Sequence, residues 1–144
     1  MNNKMNETGL QPGDRVIELA AALRTASLFA GIAAGAINGW LSKHNILISV
    51  ITALGGGVVG YILGMLMGHI IFPATSGNVV VVKVGVSSLP NTLKGGIPSA
   101  IIVSVLVSVF GNLIMKNPIM SGMWPSLAAG MLIGIIVPCL SSLL

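Results

Sequence analysis

A chain of 144 residues has room for one compact domain and no separate second one. Hydrophobic residues make up 54% of it and charged residues 7%, with a mean hydropathy of +0.98, whereas a water-soluble domain draws about a quarter of its residues from Asp, Glu, Lys and Arg; a soluble globular fold is excluded. The net charge of +4 comes from isolated Lys and Arg rather than a clustered basic face, which argues against a nucleic-acid partner.

In chain order, residues 1–13 (MNNKMNETGLQPG) read as a polar tail rich in turn formers. All three acids, Glu7, Asp14 and Glu18, lie in the first eighteen positions. Asp14 follows Pro12-Gly13 and has N-cap chemistry, so a helix is expected from there, with Val16, Ile17, Ala20, Ala21 and Leu23 sharing an apolar side. The first membrane span is predicted at about 25–41, near the lower limit of about 17 residues for crossing hydrocarbon. Ala34-Gly35-Ala36 has the look of a signal cleavage site, but the region before the apolar run is long and holds the three acids, so a retained helix is expected.

A short polar connection at 42–45 predicts that spans 1 and 2 form an antiparallel hairpin. Span 2, about 46–72, would be about 40 Å long against a hydrocarbon core of about 30 Å, so tilt or a bend near Gly55-Gly56-Gly57 is expected. Within it, residues 52–69 form the stretch around which the rest of the chain is expected to be organised. Gly56, Gly60, Gly64 and Gly68 recur every fourth residue and clear one helix face of side chains. In water each would cost roughly 1 kcal/mol against alanine; in lipid, close backbone approach is itself the means of association. Ser27, Gly31, Gly35 and Gly39 in span 1 form a matching series, and the simplest packing lays the two faces together.

Pro73 ends span 2, and a long connection (73–97) follows. Its run NVVVVKVGV at 78–86 has strand chemistry, with Val80, Val82, Val84 and Val86 on one side. A lone strand is not stable, so this segment is expected either to pack on its own helices or to serve as a docking strand for a partner. Pro98 is expected to open span 3, about 100–115, with Ala100, Ser104, Ser108 and Asn112 spaced by four. Span 4, about 123–140, repeats the device with Gly122, Ser126, Gly130, Gly134, Pro138 and Ser142. GMLMGHIIFP at 64–73 and GMLIGIIVP at 130–138 echo each other and hint at an internal duplication that needs a gap. The expected fold class is therefore an all-α integral membrane protein. Its four transmembrane helices form two antiparallel hairpins packed through glycine and small-residue zippers, with a short β-strand in the middle loop.

Four spans put both termini on one side. Lys4, Arg15, Arg24, Lys83 and Lys94 would lie there, against Lys43 and Lys116 opposite, which predicts cytoplasmic termini and a cytoplasmic middle loop, in the inner membrane if the chain is bacterial. Trp40 and Trp124 both fall at the far interface, where indole rings settle.

Reactive groups are few. The lone Cys139 excludes an intramolecular disulfide or a CxxC site. No carboxylate side chain follows Glu18, so Ser104 and Ser108 have no acid for a hydrolytic triad, and a proton-driven pump lacks its usual carboxylate. A non-enzyme is expected. Asn38, Ser104, Ser108 and Asn112 are candidates for a polar path or for interhelical hydrogen bonds. His69, in a stripe with Tyr61 and Met65 beside the glycine face, is the candidate axial ligand for haem or chlorophyll; no other cofactor and no metal is expected. The leading expectation is a non-catalytic subunit that packs, within the lipid bilayer, against other integral membrane subunits or copies of itself. The alternatives are a small homo-oligomeric facilitator for a neutral or anionic solute and a pigment or haem carrier through His69.

Overall fold

The computed structural model describes residues 16–71, 81–83 and 89–143. Among them are four helices, each containing a stretch long and apolar enough to cross a membrane: α1 (Leu19–Lys43), α2 (Ile46–Ile71), α3 (Leu89–Met115) and α4 (Met123–Leu143). Two three-residue strands, β1 (Val16–Glu18) and β2 (Val81–Lys83), pair antiparallel with Ile17 opposite Val82. The chain is thus a helical protein of the membrane class with a short ribbon at the β1 end of α1.

The helix at the centre is α1, not the glycine-rich α2. It packs against α2, α3 and α4, and 44% of its most apolar window is buried, compared with 17% for α2. The reason lies in its side chains. Ser27, Gly31, Gly35 and Gly39 form one stripe, while Ala26, Ala30 and Ala34 form a second stripe one residue out of step, and all are buried. Two small stripes about 100° apart let two sets of neighbours approach. The apolar core, which includes Leu19, Leu23, Ala30, Ala34, Val103 and Val107, lies around this helix. Meanwhile α2 turns Ile46, Leu47, Leu54, Leu66 and Ile70 outward. In hydrocarbon such a face is at no disadvantage, because lipid tails are as apolar as leucine.

Two helix starts differ from the sequence expectation. Residues 16–18 are extended, because Val16 and Ile17 are β-branched and find a backbone partner in the valine run; α1 then begins at Leu19, and Asp14 lies outside the described residues. In turn, α3 begins at Leu89 and runs through Pro98. Pro90, in the first turn, is the proline placed where its missing N–H is harmless, and Pro98 is an interior proline, exposed on the helix surface. No break occurs in α2 at Gly55-Gly56-Gly57.

The two short connections at one end of the bundle close on left-handed residues. His44 (φ 50°) ends α1, its N–H donating to Trp40 O at 2.7 Å and its ring standing edge-on to Trp40 at 5.9 Å. Asn45 Oδ1 then accepts the N–H of Leu47 at 2.8 Å, capping α2. Lys116 (φ 58°) ends α3, and Asn117 N–H donates to Asn112 O at 2.8 Å, the Schellman arrangement that satisfies the last carbonyls.

Candidate functional site

Along α1 and α2 the backbones touch. A Cβ on Gly31 would run into the carbonyl of Gly56, and one on Gly56 into that of Gly31. One on Gly60 would meet Ser27 O, one on Gly35 would meet Thr52 O, and one on Gly39 would meet Thr52 Oγ1. At Gly64 it would lie 2.8 Å from Ser27 Cβ, while at Gly68 the nearest atom, Ala20 Cβ, is 3.5 Å away in ordinary contact. Thr52 Oγ1 donates to Gly35 O at 2.7 Å and Ser49 Oγ to Ala36 O at 2.8 Å, adding hydroxyl bonds across the same line. Gly55 is different: a Cβ there would meet nothing within 4 Å.

Between α3 and α4 the same kind of contact runs in opposite directions in steps of four. Gly96 lies against Pro138 (2.5 Å from an added Cβ to Cγ), Gly134 against Ala100, and Gly130 against Ser104, whose hydroxyl fills the notch. Ala30 O approaches the same Gly130 at 3.5 Å, so α4 is wedged between α3 and α1.

At the Lys43 and Lys116 end, two buried amides join three parts of the chain. Asn38 is 1% and Asn112 0% exposed. Asn38 Nδ2 donates to Ser108 O at 3.4 Å and to Asn112 Oδ1 at 3.3 Å. Asn112 Nδ2 donates to Ile119 O at 2.7 Å and Ser121 O at 2.9 Å. The pair therefore ties α1 to α3 and α3 to the turn leading into α4. Asn38 Oδ1 has no protein partner and would lie 2.7 Å from a Cβ on Gly122, whose φ is +65°. Gly122→Ala accordingly meets both a strained backbone region and a collision, and is expected to destabilise the fold by about 1–3 kcal/mol, read as a lower midpoint in detergent unfolding.

The four residues expected to line a polar path are all enclosed in the bundle: Asn38, Ser104, Ser108 and Asn112 are at most 1% exposed. The hydroxyls of Ser27, Ser104, Ser108 and Ser126 are buried without a hydrogen-bond partner. Of the four path residues, Asn38 also borders a groove of about 230 Å³ between α2 and α3. His69, Tyr61 and Met65 are exposed on the outward face of α2. Val82 lies in β2, while Val80, Val84 and Val86 lie outside the described residues. Among the described residues, no group of three or more His, Cys, Asp or Glu is placed to hold a metal. The spans thus offer amides, hydroxyls and close backbone contact, and those are means of packing and of neutral hydrogen bonding. The alanine stripe of α1, the Gly122 turn and the groove were not anticipated from sequence; the first was visible as a period-four series at Ala22, Ala26, Ala30 and Ala34.

The described fold defines the class, a helical protein with four membrane-length spans. Comparison with family models, with curated proteins and with solved structures gives no match to this chain.

Proposed function

We propose that this protein is a non-catalytic integral membrane subunit that packs with other membrane subunits and positions them. In this reading its helices form two antiparallel hairpins closed by glycine zippers, α1 with α2 and α3 with α4. The observation that carries it is the division of surfaces. The small faces are consumed inside the chain, and α2, held on one side by α1, is left with a long outward face that includes Ile46, Leu54, Val58, Leu66 and Ile70. A small-residue core that leaves so much of α2 outward is suited to lateral packing. The β1–β2 ribbon lies at the end opposite Lys43 and Lys116; in this reading that end would face the cytoplasm, as the Lys and Arg count suggests, and residues 78–86 would serve as the docking strand.

The test is extraction from the native membrane in mild detergent, native gel separation and mass spectrometry. Co-migration with unrelated subunits in fixed ratio is the expected outcome. A band of this chain alone, at a multiple of 14.7 kDa, overturns it.

A second reading, a homo-oligomeric facilitator for a small neutral or anionic solute, draws on the unpartnered hydroxyls of Ser104, Ser108 and Ser126 and on Asn38 Oδ1. Unsatisfied buried polar atoms are rare in folded proteins, and these fall along small-residue helix contacts without a carboxylate. Flux through proteoliposomes above that of empty vesicles would favour this reading, and none would dismiss it.

A further inference from the structure

The groove between α2 and α3 combines shape and charge in a way that neither functional reading uses. Its floor is α1 at Gly35 and Asn38; its walls are α2 from Ile51 to Val59 and α3 from Val107 to Met115. It exists because Gly55 and Gly111 put no side chain into it, and a Cβ on Gly55 would meet nothing within 4 Å. The α2 wall rises about 12 Å at 1.5 Å per residue, and the α3 wall ends at Met115, directly before Lys116. The two parallel helices α1 and α3 are joined through Asn38 and Asn112, so Lys43 and Lys116, a short way past those amides, emerge at the same end, and both are exposed. From residue 19 onward no acidic side chain competes with them.

We propose that this groove holds one acyl chain of an anionic membrane phospholipid, with the phosphate held between Lys43 and Lys116. A chain already in hydrocarbon gains nothing from leaving water, so the selectivity comes from the headgroup. Two lysines near the membrane surface favour an anionic over a zwitterionic lipid by roughly thirtyfold. The glycine-lined groove adds a defined place for the chain. The inference requires only that the four helices cross a membrane, and it stands or falls separately from the assembly and facilitator readings.

The experiment is native mass spectrometry of the full chain released from nanodiscs of phosphatidylglycerol and phosphatidylcholine with the same acyl chains. One retained phosphatidylglycerol per protein is expected, favoured about thirtyfold. K43Q/K116Q should retain either lipid equally, and Gly55→Trp, which fills open space, should retain neither. A phosphatidylglycerol with a diazirine in its acyl chain, photolysed in detergent on protein that retains a single copy of it, should label peptides from 51–59 and 107–115 of the wild-type chain and spare α4, which tests the site without any substitution. The proposal is overturned by equal retention of both lipids in the wild type, by unchanged retention in folded Gly55→Trp, or by labelling spread over all helices. It is equally overturned by a two-chain mass that Gly55→Trp reduces to one chain, since a second copy would then be the occupant.

Discussion

Gly60→Leu is expected to part α1 from α2 and to destabilise the protein by at least about 3 kcal/mol, the upper range for overpacking a core. The clash is with backbone: the first added carbon already runs into Ser27 O and comes within 3.2 Å of Val103 Cγ1 on the other side. A side-chain neighbour can change rotamer; a helix carbonyl cannot. Nor can α1 move away as a unit, because its second stripe is packed on α3 and α4. Gly55→Leu supplies the internal comparison. It changes the same residue type in the same helix, yet faces open space, and its effect should stay within about 0.5 kcal/mol. Reversible unfolding in mixed micelles reads both. Equal midpoints for the two variants would show that α1 and α2 do not touch backbone to backbone at Gly60. The contrast also bears on assembly experiments: a variant at Gly60 or Gly64 would lose partners by losing its own fold, so the outward face of α2 is the place to probe partners.

Which helix is central was hidden in the sequence for a physical reason. In water, apolar segments are the buried ones; in lipid, hydropathy no longer ranks burial. Thus α2 and α3 share a mean hydropathy of 2.2, yet 17% of the one window and 39% of the other is buried, while α1, at 1.5, reads as marginal and is the hub. The four-residue spacing at Gly31, Gly35, Gly56 and Gly60 was legible, since it depends only on helix periodicity. What meets each glycine was not, because that depends on register between helices. In the structure the glycines of the two echoing segments meet like partners, Gly64 at Ser27 and Gly130 at Ser104, a relation that the gap between the repeats obscured. The start of α3 was misread for a local reason: both Pro90 and Pro98 are followed by helix-compatible residues, and only the first sits in an initial turn. The polar residues at positions 38 and 112 were each visible, but nothing in the chain shows that residues 74 apart share a hydrogen bond.

Asn112→Leu is the second large effect expected, and it discriminates between two roles for the buried amides. The substitution strands Ile119 O and Ser121 O, and it removes the Oδ1 acceptor of Asn38 Nδ2. Each buried polar group left unsatisfied costs about 1–3 kcal/mol, so a loss of about 2–4 kcal/mol is expected, short of the full sum because the turn carbonyls lie near the interface and can turn to water. Asn38→Leu takes the donor from two acceptors, Ser108 O and Asn112 Oδ1, over bonds of 3.4 and 3.3 Å, and also removes an oxygen that has no partner, so its cost should be smaller. The pair linked at 3.3 Å should show a coupling of about 0.6–1.7 kcal/mol in a double-mutant cycle, the range found for interhelical bonds in membranes. If the amides serve packing, the double variant will be less stable than the wild type and any solute flux will follow the folded fraction. If instead they hydrate a path, flux per folded protein will fall in Asn38→Leu while stability changes little. A coupling near zero would show that the two amides act independently, each holding its own neighbours, and that α1 and α3 are kept parallel by the apolar contacts of Ala30, Ala34, Val103 and Val107.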